Sequence, residues 1–316
     1  MKSNREIEHF VAPVEETPLL ATDTVKTDQA PLSLWADAWR KLRRRPLFVI
    51  ASIMILLIVI VALFPGLFTQ TAPDNGCELS NSNGGPSAGH PLGFTFQGCD
   101  IYARMIHGTQ ASVTVGVLSV ICVLIIGVTF GALAGFFGGW VDALIARLGD
   151  IFFALPTVLG ALVITQLPVF RENRGVLSVV VVLVVLGWPQ MARITRGAVI
   201  EVRNADFVMA ARSLGVSSIG ALVRHVLPNA LAPIIVLATM ELGVFIVAEA
   251  TLSFLGIGLP GSVMSWGNDI SAGQQSIRTN PAVLFYPAAA LTLTVLSFIM
   301  LGDALRDALD PKSRQR

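Results

Sequence analysis

Charge is scarce in this chain. Only 14% of its 316 residues are Asp, Glu, Lys or Arg, where soluble domains carry about 25%. Hydrophobic residues make up 53%, and the mean hydropathy is +0.70. That balance argues against a soluble enzyme domain and for a membrane protein with several spans. Cysteine is scarce too: three residues, too few for a disulfide scaffold and without the spacing of a zinc site. No G-x-x-x-x-G-K-[ST] phosphate loop and no H-E-x-x-H metal pair occurs. Neither an ATPase within this chain nor a zinc peptidase is expected. His90, His107 and His225 form no metal-ligand cluster. No resident metal and no nucleic-acid partner are expected. The pattern of a cleavable signal peptide is also missing, since about 45 mostly polar residues precede the first apolar run.

The apolar residues are gathered into six runs, each near the ~20 residues that cross a bilayer. They cover 47–67, 112–136, 141–166, 176–194, 230–255 and 285–305. Residues 1–32 read as a disordered cytoplasmic tail. Residues 33–68 read as a helix in the headgroup layer followed by the first span. In that helix Leu34, Trp35, Ala38, Trp39 and Leu42 share a face beside Arg40, Lys41, Arg43, Arg44 and Arg45. Residues 69–111 read as an extracytoplasmic loop, 112–306 as the main bundle, and 307–316 as a cytoplasmic tail. With the N-terminus inside, 18 of the 22 Lys and Arg fall on the cytoplasmic side. Both ends are therefore expected inside. A short helix over 99–108 is expected along the outer surface.

One polar, basic stretch interrupts the apolar runs at 206–229. It reads as two short helices. Asp206 can cap the first, and Phe207, Ala210, Ala211 and Leu214 fall at helical spacing. Gly215 sits where that helix would stop. Ser217 or Ser218 can cap the second, and Pro228 is read as its end. The expected product is a helical knob on the membrane surface. Elsewhere, Gly127, Gly131 and Gly135 repeat the four-residue spacing that lets helices approach closely. Packing inside the bundle is the plainer reading, a dimer face the other. Asp142 is read as a helix cap, and Pro156 and Pro189 as kinks. Glu241 and Glu249 lie eight apart in the fifth run. Ionisable groups at that depth face a wet path or bond between helices; both readings stand.

Residues 206–229 resemble the E-A-A-x-x-x-G loop of ABC-transporter permease subunits. Ala210, Ala211, Gly215, Leu227 and Pro228 match it. Met209 replaces the acidic residue, and His225 replaces a late apolar one. The likeness extends over most of 33–312 to the second permease of dipeptide and oligopeptide importers. His90-Pro91-Leu92-Gly93, then Asp100, Arg104 and Gly108, match in order. So do Arg147, Asp150 and Pro156, the run 252–258 (LSFLGIG), Ser265-Trp266-Gly267 and the ending 302–311. The resemblance implies an all-α membrane protein of the type I ABC-importer permease fold with six transmembrane helices. It implies a homologous second permease and two ABC ATPase subunits that bind the ATP and Mg. An extracytoplasmic substrate-binding lipoprotein and surrounding membrane lipid complete the set. No cofactor is implied in this chain.

The work so implied is mechanical, with 206–229 receiving the ATPase stroke. The cargo implied is a dipeptide or oligopeptide. Nickel chelates, haem or glutathione are the alternatives in the same architecture. A transporter driven by an ion gradient is the reading from another class, but the inverted repeats it needs are not apparent. Family members usually carry T-D-x-x-G-R-D after the HPLG stretch. Here 94–100 reads FTFQGCD, with Cys99 at the Arg position. Cys77 lies in the same outer segment, which suggests a Cys77–Cys99 disulfide.

Overall fold

A computed structural model describes residues 39–309. The tail 1–32, the first six residues of the headgroup-layer helix and residues 310–316 lie outside the described residues. Among those described, the fold is helical, with two isolated β-bridges and no strand. Five helices are long and apolar enough to span a membrane: α1 (Pro46–Leu63), α2 (Ile101–Phe137), α6 (Val176–Arg203), α9 (Leu227–Phe254, merged with the turns before it) and α11 (Ala282–Leu309). The sixth run is a bent pair, α3 (Gly139–Ala154) and α4 (Thr157–Thr165), which meet at 91°. Pro156 stands at the N-terminus of α4, where its missing N–H is harmless, so it breaks the run rather than bending it. A short α5 (Pro168–Glu172) follows. Pro189, by contrast, stays inside one continuous α6.

The short outer helix expected over 99–108 is not separate. Asp100 caps α2 by accepting from the Tyr102 N–H at 3.0 Å, and the helix then runs unbroken through the span. Its 37 residues reach about 55 Å at 1.5 Å per residue. The outermost turns therefore stand clear of a ~30 Å hydrocarbon core.

The bundle is tied by close approach of α2 and α6. Gly127, Gly131 and Gly135 all face α6 within this chain. A Cβ built on Gly131 would lie 2.3 Å from the Ala192 carbonyl oxygen and 2.7 Å from Thr195 Cβ. The glycine repeat is a packing seam inside the bundle, of the two uses its spacing allows. Val115, Val123, Val182, Leu183, Met191 and Phe245 build the main core around it. Asp142 does not cap α3. It pairs in a fork with Arg196 of α6, at 2.5 and 2.7 Å.

In the loop before α2, Cys77 and Cys99 are joined, with Cα atoms 4.3 Å apart. Gly98 beside them has φ +75°, and a Cβ there would lie 1.9 Å from the Glu78 carbonyl oxygen. Only glycine fits that approach. Between α9 and α11 the chain turns through 255–265 into α10 (Trp266–Gly273). Two enzyme-like patterns occur in loops: G-x-S-x-G at 85–89 and G-x-G-x-x-G at 256–261. Neither stands between a strand and a helix, the setting both chemistries need.

Candidate functional site

The stretch between α6 and α9 folds as a knob. Its first helix, α7, covers Asp206–Ser213. The N-cap is Ala205, whose extended backbone (ψ 148°) opens the helix, and Asp206 lies in the first turn instead of capping. The end is a Schellman turn: the Val216 N–H donates to the Ala211 carbonyl and the Gly215 N–H to that of Arg212. Gly215 has φ +89°, a left-handed conformation that glycine adopts without strain. Ser217 then caps α8 (Ser218–Ala221), its Oγ accepting from the Gly220 N–H at 3.2 Å.

The second helix does not end at Pro228. A π turn, Leu222–Val226, carries α8 directly into α9, and Pro228 sits in the first turn of α9. There its lack of an N–H costs nothing extra. The same residue reads as a stop or a start, and here it is a start. Leu227 and His225 are half-buried along this continuous path, and Pro228 is exposed.

One face of the knob is anchored. Val208, Leu222 and Val226 are buried with Ala132 of α2, Ala198 and Val199 of α6 and Ala230 of α9. Just before the knob, Arg203 at the end of α6 donates to the Gly135 carbonyl of α2 at 2.7 Å. The opposite face is bare. Leu214 is 87% exposed and Ile219 67%, with Phe207, Met209 and Val223 also exposed. Ala210 and Gly215 are exposed beside them, and Ala211 is half-buried. Five large apolar side chains on one small knob form a patch of the kind that marks an interaction site.

The two buried glutamates of α9 have different settings. Glu249 is fully buried, and its two carboxylate oxygens accept from Ser112 Oγ of α2 and from Ser253 Oγ, each at 2.8 Å. Ser112 Oγ also accepts from the Trp266 N–H, and Ser253 Oγ from the Leu259 N–H. Glu249 thus knots α2, α9 and the start of α10. Glu241 is 4% exposed, and its Oε2 has no hydrogen-bond partner among the described residues. A cavity of about 550 Å³ opens between α6, α9 and α11, at the end of α9 that joins the knob. Ala198, Glu201, Asn229, Met240 and Arg306 are among its walls.

Sequence reasoning passed over Asp269. It lies in the first turn of α10 and pairs with Arg104, which donates Nε and Nη2 to Oδ1 at 2.9 and 2.6 Å. Burial pushes its carboxyl above the ordinary aspartate value, against the downward pull of Arg104. No local pattern signals the pair; Ser265-x-x-Asn268 marks only the start of α10, where Ser265 Oγ accepts from the Asn268 N–H.

The sequence matches two family models. Residues 127–315 match the binding-protein-dependent transport system inner membrane component. Residues 33–84 match the N-terminal transmembrane domain of oligopeptide transport permease C. Curated relatives agree. The oligopeptide transport system permease protein of Bacillus subtilis is 36% identical over 296 residues, 93% of this chain and 95% of its own. The glutathione transport system permease protein of Pectobacterium atrosepticum is 35% identical over 294 residues, 93% and 96% respectively. The dipeptide transport system permease protein of Alkalihalophilus pseudofirmus is 36% identical over 283 residues, 90% and 91%. Among solved structures, the MetNI methionine ABC transporter in an inward-facing conformation gives a TM-score of 0.53 at 21% identity. That match covers 66% of this chain and 96% of the other. It shows the type I permease fold. With that fold and these sequence matches along nearly its whole length, the chain belongs to the multi-pass inner-membrane permeases of binding-protein-dependent ABC importers, in the branch of peptide and glutathione permeases.

Proposed function

We propose that this chain forms half of the translocation path of an ATP-driven bacterial importer of dipeptides or oligopeptides, with the 206–229 knob as its coupling element. The bare apolar face of the knob carries this reading. Full burial of one such side chain contributes about 1.5–3 kcal/mol. Leu214, Ile219, Phe207, Met209 and Val223 therefore represent a large unused binding energy, placed on the basic, cytoplasmic side. The partners that use it are two ATPase subunits carrying ATP and Mg. A homologous second permease supplies the other half of the path, and an extracytoplasmic substrate-binding lipoprotein delivers cargo. Membrane lipid surrounds the spans.

Met209 takes part in docking through its apolar side chain, in place of the acidic residue of the resembling loops. The inner end of the path follows the cytoplasmic cavity beside Glu201 and Arg306, whose size suits a small ligand. Of the two glutamates, Glu241, whose Oε2 has no partner among the described residues, is the one assigned to the path, and Glu249 braces the bundle. Relatives named for glutathione match as well as those named for oligopeptides. Glutathione is therefore the second cargo to test.

The test uses the reconstituted complex. Gly215→Val forces a β-branched residue into a left-handed conformation, at about 1–2 kcal/mol. Apart from its two chain neighbours, no described residue has an atom within 4 Å of the added Cβ position. The defect should therefore be confined to the turn and its docking. Uptake of labelled peptide and ATP turnover stimulated by the loaded binding protein should both fall sharply. Cargo binding by the isolated binding protein should stay unchanged. Normal uptake and normal stimulation in Gly215→Val would remove the knob from the coupling role. Competition by di-, tri- and longer peptides and by glutathione then assigns the cargo.

A further inference from the structure

The end of the bundle away from the knob holds a cavity that the coupling reading leaves unused. Its volume is about 430 Å³. His107, Gln110 and Thr114 of α2 line it on one side, facing Val176 at the start of α6 and Val263 and Met264 of the 255–265 turn. The three polar residues stand at i, i+3 and i+7, which is one face of a helix. Apolar walls with a few convergent polar groups are the usual make-up of a small-ligand site.

Gln110 and Thr114 are exposed and His107 is half-buried. Among the described residues, none of the three side chains has a hydrogen bond or ion pair. Other threonines of α2 are satisfied within the helix. Thr109 Oγ1 donates to the Met105 carbonyl at 3.0 Å, and Thr129 Oγ1 to that of Ile125 at 2.6 Å. Thr114 leaves its hydroxyl free.

Position and chemistry together narrow the occupant. Val176 borders this cavity, and Ala198 borders the one beside the knob. They stand 22 residues apart on α6, about 33 Å at 1.5 Å per residue, close to the ~30 Å of a hydrocarbon core. The two cavities thus sit a membrane's thickness apart along one helix. The volume falls in the roughly 300–1,000 Å³ range of small-ligand sites. No Asp, Glu, Lys or Arg lines the cavity. A site for a free carboxylate or phosphate calls for Arg or Lys, and one for an ammonium calls for a carboxylate. The groups present are a carboxamide, a hydroxyl and an imidazole. Each offers both a donor and an acceptor when uncharged, and a peptide backbone presents the same pair in return.

We propose that His107, Gln110 and Thr114 form a cargo-contacting site at the mouth of the path opposite the knob, one that holds the backbone amides of a passing peptide and is indifferent to the charge of its side chains. The idea rests on the importer reading above. The test is uptake into proteoliposomes holding the assembled complex, with the assembly's own substrate-binding subunit saturating and loaded. Two labelled probes are used: alanyl tripeptides with a central glutamate or a central lysine. The readout is the ratio of their uptake rates, in which any preference of the substrate-binding subunit cancels between variant and wild type. Gln110→Glu and Gln110→Lys each add a charge at an exposed position, and Gln110→Met is the neutral control. Gln110→Glu should shift the ratio toward the lysine peptide by about two- to fivefold, and Gln110→Lys toward the glutamate peptide by as much. Gln110→Met should keep the wild-type ratio. A side chain that served only the packing of α2 would slow both peptides alike. Each charged variant decides the matter alone, so one that fails to assemble leaves the other to rule. The wild-type ratio in an assembled, charged variant overturns the site and leaves the importer reading standing. A wild-type complex that imports neither peptide removes the peptide-importer reading, and the site with it.

Discussion

Two glycine-to-alanine changes in neighbouring helices should move stability in opposite directions. Gly131 of α2 faces α6 at the closest point of the seam. Its added Cβ would meet the Ala192 carbonyl oxygen at 2.3 Å and Thr195 Cβ at 2.7 Å. Both neighbours are backbone or stiff β-branched atoms and cannot rotate away. The helices must part by about 1 Å to reach ordinary contact, a strain of roughly 1–3 kcal/mol. Against this, Ala is favoured over Gly in a helix by about 0.5–1 kcal/mol. The net expectation for Gly131→Ala is a loss of about 1–2 kcal/mol. Gly197 of α6 has, among the described residues and beyond its own turn of helix, no atom within 4 Å of its added Cβ. Gly197→Ala should therefore show only the propensity gain, about 0.5–1 kcal/mol. The assay is thermal unfolding in mild detergent, followed by reaction of a thiol dye with Cys122, the free cysteine of α2. Relative to wild type, Gly131→Ala should melt lower and Gly197→Ala slightly higher. A Gly131→Ala protein that melts at or above wild type refutes the seam argument. One that keeps its melting point but loses self-association would put the glycine repeat on a dimer face.

The disulfide and the buried glutamate give two further expectations. Thiol labelling of the folded, unreduced protein should leave Cys77 and Cys99 unmodified, and Cys77→Ser should lower stability by roughly 3 kcal/mol for a crosslink of 22 residues' separation; labelling of Cys77 and Cys99 without reductant would contradict this. Glu249→Leu should leave the Ser112 and Ser253 hydroxyls without their acceptor, at about 1–3 kcal/mol for each such group; Glu249→Gln, which keeps an acceptor, should recover part of the loss in the same melting assay. Equal melting of the Leu and Gln variants would show that the hydroxyl bonds contribute nothing.

Most of the span positions were readable because a bilayer imposes a length on apolar runs. Helix ends were less readable, for a definite reason. Arg104, His107 and Gln110 end the apolar run before 112, and polarity there marks the depth of the membrane rather than the end of the helix. The helix continues outward until Asp100, where a capping side chain stops it. The knob was legible in its first half, because Gly215 needs a left-handed backbone and Ser217 is a good cap. Its second half was not, since Pro228 can close one helix or open the next. The π turn that decides between them leaves no mark in residue type. Asp269 was passed over because its partner Arg104 is 165 residues away. Pairing at that distance follows from how α2 and α10 pack, which no local pattern reports.

The same π turn bears on how a movement of the knob could travel. Were α8 and α9 joined by a loop, a displaced knob could swing without moving the span. They are joined instead by the i→i+5 helical hydrogen bonds of the π turn, so α8 and α9 form one rod. From Leu227 to Phe254 that rod is 28 residues, about 42 Å at 1.5 Å per residue. Pro233 lies within it without breaking it. Near its outer end, Glu249 grips Ser112 of α2, and Gly267 of α10 lies so close that an added Cβ would come within 2.6 Å of Ala250. The knob is packed into α2 and α6 at the inner end, and α9 is locked to α2 and α10 at the outer end. A push on Ile219 or Val223, the bare side chains beyond the Gly215 turn, therefore meets no break in the helix before the far end of α9. The proposed coupling needs such a stiff carrier, and α9 supplies it through ordinary packing and two seryl hydroxyls.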